Sequence, residues 1–218
     1  SDLEQCEKQP EKAFHLNATV VEILAELSSR FEFRLICVSS DMVFDGTKGG
    51  YSEDAPPRPL NVYGQTKLAA EKYVRAAASN YVIARSALVY GPPITGVNSF
   101  SEKIRNRIEI ESNSMPLFTD QYRSPVHVGD LAKALLELAG NNYTGTIHLG
   151  GSQRCDRYTF GKKMAELNGW PLKMCKPVSM YDVKTKAPRP QDTSFDISLA
   201  RQILDTELAG YEQGLELA

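Results

Sequence analysis

The chain has 218 residues, enough for one large domain or for a domain with a smaller lobe. Its 42% hydrophobic and 24% charged residues are typical of a globular protein, and a formal net charge of −2 gives no general attraction for nucleic acid or anionic membranes. We therefore predict small-molecule or protein partners, with no nucleic acid and no membrane among them.

The four cysteines are scattered along the chain and show no metal-ligand spacing with the three histidines. We interpret them as reduced thiols of a cytoplasmic protein, and we predict no metal site. No apolar run reaches the roughly 20 residues that a membrane-spanning helix requires.

The first half of the chain alternates predicted helices and strands. Apolar residues recur every three or four positions from Pro10 to Ser29, which predicts an amphipathic helix. The apolar run from Phe33 to Val38 predicts a strand buried on both faces. The next predicted elements are a loop from 44 to 59, a helix from 61 to 78 and a strand from 81 to 85. This order predicts a parallel α/β sheet.

The second half is less regular and richer in loops. A turn at Tyr90-Gly91-Pro92-Pro93 separates it from the first half. Its predicted elements are a helix from 99 to 110, a helix from 130 to 139 with Asp130 as N-cap, a strand from 146 to 149, and helices from 158 to 168 and 197 to 204. We therefore predict a dinucleotide-binding domain over residues 1–90 and a smaller mixed substrate lobe over residues 91–218, with some segments returning to the sheet.

A glycine-rich phosphate turn is absent from the sequence. A dinucleotide-binding sheet normally opens with a strand, a G-x-G-x-x-G turn and a helix whose N-terminus holds the pyrophosphate. Either the protein does not bind a dinucleotide, or the sequence begins partway through the domain.

The residues suited to chemistry are Ser40, at the end of the first predicted strand, and Tyr63 and Lys67 on the next helix. A tyrosine has an unperturbed pKa near 10, and an ammonium four residues away on the same helix face should lower that pKa. A serine at the carboxyl end of a parallel strand is placed to hold a substrate oxygen. We predict that these three catalytic residues transfer a proton to a carbonyl.

Several other polar residues have simpler interpretations. Tyr158 and Lys162 repeat the same spacing, but no strand ending in hydroxyls precedes them, so we interpret them as helix surface. For Tyr63 and Lys67 themselves, the alternative is a packing aromatic and a solvated charge. The histidines His127 and His148 are interpreted as structural. The polar loop 120–123 either shapes the substrate lobe or simply precedes a helix.

Several separated motifs resemble the extended short-chain dehydrogenase/reductase family. They are V-S-S-D-M-V-F-D-G (38–46), P-L-N-V-Y-G-Q-T-K-L-A-A-E (59–71), V-Y-G-P (89–92), D-Q-Y-R-S-P-V-H-V-G-D-L-A (120–132) and R-P-Q-D-T-S-F-D (189–196). Within that family the chain most resembles dTDP-4-dehydrorhamnose reductases, over nearly its whole length. The resemblance implies a Rossmann-like doubly wound parallel sheet and NAD(P)H-dependent reduction of the 4-keto group of a nucleotide-linked deoxysugar.

The resemblance also assigns roles by position. Tyr63 takes the place of the proton donor, Lys67 that of the ribose-binding lysine, and Ser40 that of the family's threonine or serine. The residues expected along NADP or NAD are Val38, Ser39, Tyr63 and Lys67, and those expected at the nucleotide-sugar substrate are Ser40, Asp41, Leu88 and Arg189. Family members carry the glycine turn and several strands before a segment like Asp2–Asn17, so we expect that roughly the first third of the nucleotide-binding domain is missing here.

Other functions stay open at this point. An epimerase or dehydratase of the same family often needs an additional acid or base pair, and only Asp41 follows Ser40 here, which favours simple reduction. The beta subunit of methionine adenosyltransferase shares similar motifs and serves as a regulatory binding partner. The sequence decides neither NADPH against NADH nor the oligomeric state, and a homodimer is compatible with it.

Overall fold

The computed structural model describes residues 2–93 and 99–217. Its helices are α1 (Leu3–Lys8), α2 (Pro10–Phe14), α3 (Val20–Arg30), α4 (Val62–Ala77), α5 (Phe100–Arg105), α6 (Val128–Gly140), α7 (Arg157–Asn168), α8 (Ser198–Ile203) and α9 (Tyr211–Glu216). Its strands are β1 (Leu35–Ser40), β2 (Tyr81–Ser86), β3 (Val89–Tyr90), β4 (Met115–Phe118), β5 (Tyr122–Arg123), β6 (Val126–His127), β7 (Gly145–Leu149), β8 (Cys155–Asp156) and β9 (Cys175–Val178). Two π-helical segments, His15–Thr19 and Asn106–Ile110, join α2 to α3 and extend α5.

The central sheet is parallel, with its strands in the order β1-β2-β7. At its carboxyl edge Ser40 of β1 pairs with Ser86 of β2, and Ser86 pairs with Leu149 of β7. Because all three strands run in the same direction, the loops that leave them begin at the same edge.

Helices cover both faces of this sheet. Successive side chains of a strand point to opposite faces, so Ile83 packs with α3 and α4, whereas its neighbours Val82 and Ala84 pack with α6 and α8. The fold is therefore the predicted Rossmann-like, doubly wound α/β arrangement. No helix in the described ranges is long and apolar enough to cross a bilayer.

A second cluster of small sheets lies in the later part of the chain. Strand β4 pairs with β9 in parallel, β5 with β8 in antiparallel, and β3 with β6 in parallel. The core between β4, β9 and α7 is built on Leu117, Phe160, Met164 and Cys175. However, β7 is a strand of the central sheet, and α6 and α8 pack on that sheet, although all three elements come after residue 90. The division of the chain at residue 90 therefore stays a prediction.

The structure corrects some predicted boundaries. Strand β1 begins and ends two residues later than predicted, which brings Ser39 and Ser40 into the strand. Helix α6 begins at Val128, and its N-cap is His127, whose Nδ1 accepts a hydrogen bond from the Gly129 amide at 3.3 Å. Asp130 therefore lies in the first turn of α6, where a carboxylate favours the positive end of the helix dipole.

Candidate active site

The candidate site lies where β1 ends. Ser40 is the last residue of the strand and caps the 3₁₀ turn Asp41–Val43, since its hydroxyl oxygen accepts from the Met42 amide at 3.2 Å. The same hydroxyl donates to Asp41 Oδ1 at 3.0 Å. These two bonds fix the Ser40 side chain at the carboxyl edge of the sheet.

Helix α4 begins beside this strand end. Its N-cap is Asn61, whose side-chain oxygen accepts from the Gly64 amide at 2.8 Å and whose amide donates to the Pro188 carbonyl at 2.9 Å. Gly64 packs so tightly on the turn after β1 that a Cβ atom there would lie 2.2 Å from the Met42 carbonyl oxygen. The absence of a side chain at Gly64 thus allows the first turn of α4 to approach Ser40.

This placement brings Tyr63 and Lys67 to the end of β1. The Lys67 ammonium lies 5.9 Å from the centre of the Tyr63 ring and donates to the Val38 carbonyl at 2.9 Å. Burial lowers the pKa of Lys67, while the nearby Cys37 and Glu71 act to raise it. Lys67 therefore links the helix to the strand and keeps two of its three N–H donors for other groups.

The Tyr63 hydroxyl is held in its protonated form. Burial raises its pKa to about 12, an interaction with the Ser40 hydroxyl acts in the opposite direction, and the nearby Asp41 raises the pKa further. We expected Lys67 to lower this pKa, but burial outweighs any such effect in the structure. The phenol is consequently a proton donor at neutral pH rather than a base.

The other residues predicted for the cofactor differ from each other in orientation. The Val38 side chain is exposed, whereas Ser39 is buried and its hydroxyl donates to Glu71 Oε1 at 2.7 Å. The Ser39 carbonyl also accepts from the Ser86 hydroxyl at 3.3 Å, so both its side chain and its carbonyl have protein partners. Leu88 follows β2, two residues beyond the partner of Ser40, and its side chain is half-buried.

Asp41 is engaged within the protein. Its carboxylate is buried and accepts from the Thr193 hydroxyl at 2.6 Å, and its Oδ2 lies 3.3 Å from Nε of the buried Arg123. The carboxylate therefore joins the end of β1 to β5 and to the loop that holds Thr193. Its predicted contact with a sugar would use an oxygen that already has protein partners.

Arginine side chains accumulate beyond Asp41. Burial and the nearby Arg123 lower the pKa of Arg157 to about 9, so Arg157 is still a cation at neutral pH. Arg189 is a third positive charge near these two arginines. Within the described ranges, four buried donor atoms of this region have no hydrogen-bond partner: Gln121 Nε2, Arg123 Nε, Arg157 Nη1 and Arg189 Nε. Such a set can receive an anion.

Sequence reasoning weighed three of these residues but missed Arg157. It is the first residue of α7, capped by Asp156, and its guanidinium lies 4.4 Å from the centre of the Phe100 ring. Nothing in the local pattern distinguishes it from a surface arginine, because its neighbours come from other parts of the chain. Arg189 is half-buried and contacts Glu4 Oε1 at 3.3 Å.

The two histidines have structural surroundings. His148 is fully buried, stacks on Phe195 at 4.1 Å between ring centres, and has its Nδ1 3.0 Å from the Tyr51 carbonyl. Burial and the adjacent Arg85 lower its pKa to about 3, so the ring is neutral. His127 caps α6, as described above.

Comparison with known protein families and structures places these features in context. A family model described as the RmlD substrate binding domain matches residues 1–218. The probable low-salt glycan biosynthesis reductase Agl14 of Haloferax volcanii is 32% identical over 201 residues, which cover 91% of this chain and 67% of that protein. The methionine adenosyltransferase 2 subunit beta of Xenopus laevis is 32% identical over 197 residues, 88% of this chain and 59% of that protein.

Solved structures of sugar-nucleotide enzymes have a similar fold. The dTDP-4-dehydrorhamnose reductase of Bacillus anthracis in complex with NADP superposes with a TM-score of 0.92 at 28% identity, over 100% of this chain and 76% of that one. MoeE5 in complex with UDP-glucuronic acid and NAD superposes with a TM-score of 0.80 at 26% identity, over 98% of this chain and 73% of that one. The chain thus spans about three fifths to three quarters of the length of the proteins it matches.

Proposed function

Because this chain belongs to the RmlD substrate binding domain family, we propose that it takes part in NAD(P)H-dependent reduction of the 4-keto group of a nucleotide-linked deoxysugar. The observation that carries this proposal is the placement of Tyr63 and Lys67, one turn apart on α4, beside Ser40 at the carboxyl edge of a parallel sheet. Carbonyl reduction requires a proton donor at that position, and α/β sheets bind their ligands at that edge.

Each residue of the site has a distinct task in this reaction. A nicotinamide cofactor, when bound, supplies the hydride for the carbonyl carbon. Tyr63 donates its proton to the carbonyl oxygen, and the Ser40 hydroxyl holds that oxygen by turning its single proton away from Asp41 Oδ1. Lys67 is anchored by the Val38 carbonyl, and its remaining N–H donors suit ribose hydroxyls.

The arginine-rich region supports an anionic substrate. Arg123, Arg157 and Arg189 are cations whose charge Asp41 and Glu4 balance only in part, and each of these arginines and the neutral Gln121 has a buried donor atom without a hydrogen bond. A nucleotide diphosphate carries the negative charge and the acceptor oxygens that such donors bind. We therefore propose that this region receives the diphosphate of a nucleotide sugar.

The test is reduction of a dTDP-4-keto-6-deoxysugar by the natural full-length protein, followed as loss of NADPH or NADH absorbance. Tyr63→Phe should lower kcat by about two to four orders of magnitude, the usual range for a lost general acid, with little change in cofactor affinity. Tyr158→Phe is the matched control, because Tyr158 and Lys162 have the same spacing and a similar ring-to-ammonium distance of 5.8 Å. Near-normal turnover by the Tyr63→Phe protein would remove Tyr63 from the mechanism.

A second candidate is a regulatory binding role, and the identity to methionine adenosyltransferase 2 beta subunits favours it. In that case the protein binds another subunit and reduces no sugar. Titration with the other subunit of a methionine adenosyltransferase, followed by size-exclusion chromatography, separates the two. Complex formation without turnover would establish this role, and turnover without complex formation would exclude it.

A further inference from the structure

A buried carboxylate, Glu71, lies beneath the candidate site and has no role in the steps above. It is fully buried and accepts hydrogen bonds from Arg85 Nε and Nη2, both at 2.8 Å, and from the Ser39 hydroxyl at 2.7 Å. Burial acts to raise the pKa of Glu71, but the bonds from Arg85 and Ser39 outweigh it and hold that pKa below its usual value. Glu71 is therefore an anion at neutral pH.

Glu71 and these two partners belong to three different elements. Glu71 follows Lys67 by four residues and Tyr63 by eight, so all three lie on the same face of α4. Ser39 is adjacent to Ser40 in β1, and Arg85 lies in β2. One carboxylate thus fastens the helix that carries the proton donor to the two strands beside the substrate.

A second basic residue, Arg75, provides a natural comparison. Its Nη2 lies 3.0 Å from Glu71 Oε2, on the half-exposed side of the same helix. The same Nη2 also donates to the Thr146 hydroxyl at 3.0 Å, so Arg75 links α4 to β7 rather than to β1 or β2, the strands nearest Tyr63. Glu71 therefore makes one buried ion pair, with Arg85 of β2, and one half-exposed ion pair, with an arginine that contacts β7.

We infer that Glu71 is a positioning residue which, through Arg85 and Ser39, sets the separation between Tyr63 and Ser40. The inference rests on the proposed function. A buried ion pair is often replaceable by apolar side chains without loss of stability, whereas an error of about 1 Å in the position of a reacting group lowers rates by about 10²-fold. A need to hold α4 in a fixed position on β1 and β2 explains why a buried ion pair is found here.

Steady-state kinetics of the natural full-length protein tests the inference. Glu71→Gln is expected to lower kcat by about 10- to 100-fold with KM changed less than about threefold, and Arg75→Ala is expected to leave both within about twofold. In a Tyr63→Phe background, Glu71→Gln should lower the residual rate by less than about threefold, because it acts through Tyr63. Equal effects in the two backgrounds would show that Glu71 does not act through Tyr63.

A milder variant covers the case in which Glu71→Gln does not fold. Ser39→Ala removes one hydrogen bond from the cluster and should lower kcat about 3- to 10-fold with an unchanged KM. A Ser39→Ala protein that loses thermal stability but keeps its full kcat would overturn the positioning role and leave only a contribution to folding.

Hydrogen exchange separates failure of this inference from failure of the proposed function. Glu71→Gln should speed amide exchange over residues 65–71 at least about tenfold, and Arg75→Ala should not. Unchanged exchange in Glu71→Gln, with an active wild type, would overturn the inference alone. A wild-type protein without turnover would overturn the proposed function and with it the positioning role of Glu71, whatever the exchange rates.

Discussion

Tyr63 and Lys67 lie one helical turn apart, yet the ammonium is bonded to the Val38 carbonyl rather than to the phenol. Burial therefore has the largest effect on the pKa of Tyr63, and the hydroxyl keeps its proton well above neutral pH. We therefore expect Lys67 to affect the reaction mainly by binding the cofactor, so replacing Lys67 should change cofactor affinity.

Replacement of Lys67 tests whether this residue acts mainly by binding the cofactor. Lys67→Ala should weaken NADPH or NADH binding about 10- to 100-fold, the range for a lost hydrogen bond to a charged group, and should also lower kcat. Lys162→Ala, which removes the ammonium from the second tyrosine and lysine pair, should change neither by more than about twofold. Calorimetric titration and initial rates measure both, and equal effects of the two substitutions would contradict the choice of the first pair.

His148 makes the fold sensitive to mild acid. Its pKa is lowered to about 3 in the folded protein against about 6.5 in the unfolded chain, so stability is complete above pH 6.5 and is lost as the pH falls toward 3. The linked loss between pH 7 and pH 5 is about 2 kcal/mol in the free energy of unfolding.

Urea unfolding at pH 7 and pH 5 measures that loss. His148→Gln removes the titrating ring and should reduce the difference between the two pH values by most of this amount, even if the variant is less stable at both. An identical difference in wild type and variant would mean that His148 is not buried as a neutral ring.

The first turn of α4 owes its position to Gly64. Alanine normally stabilises a helix relative to glycine by about 0.5–1 kcal/mol, but at Gly64 a Cβ would lie 2.2 Å from the Met42 carbonyl oxygen and 2.8 Å from the Pro59 Cβ. The helix must therefore shift away from the end of β1, and Tyr63 must move with it.

We expect Gly64→Ala to lower the free energy of unfolding by about 1–3 kcal/mol, the usual cost of overpacking, and to lower kcat. Gly140→Ala is the control, because Gly140 ends α6 and a Cβ there meets no atom within 4 Å. That variant should be neutral or slightly stabilising. Urea unfolding and initial rates check both, and a stable, active Gly64→Ala protein would show that α4 does not need this close approach.

The elements that the sequence predicted well are those with a local signal. Periodic apolar residues indicated α4 and α6, and short apolar runs indicated β1, β2 and β7 to within two residues. The two-residue strands β3, β5, β6 and β8 escaped prediction, because they exist only through pairing with distant segments. The N-cap of α6 was misassigned since both His127 and Asp130 carry a side chain that can accept from a backbone amide.

At the scale of the whole molecule, the sequence predicted which residues follow β1 but not what they contact. Ser40, Tyr63 and Lys67 are close in sequence, and their strand-to-helix context was readable. The partners of Asp41 come from Arg123 and Thr193, and Glu71 finds Arg85 across two elements. Such long-range pairs have no local pattern, so the buried charges of the site emerge only from the fold.

The whole chain also presents an apolar face that its own core does not use. Along α3 and the segment before it, Leu16, Val20, Ile23 and Leu24 recur at helical spacing and are each at least 38% exposed. Within the described ranges β1 has β2 as its one strand neighbour in the sheet, so its other edge also offers free backbone groups. A contiguous apolar surface of this kind favours association.

We therefore expect the 218-residue chain to self-associate at high concentration through this face and to bind an apolar dye such as ANS. Ile23→Glu combined with Leu24→Lys should reduce dye fluorescence about twofold or more and shift the protein toward monomer in light scattering, because the apolar stripe is interrupted. Leu136→Glu combined with Leu172→Lys alters two exposed leucines elsewhere, 74% and 48% exposed, and should leave both readouts unchanged. A wild-type chain that stays monomeric and binds no dye would show that this face does not drive association.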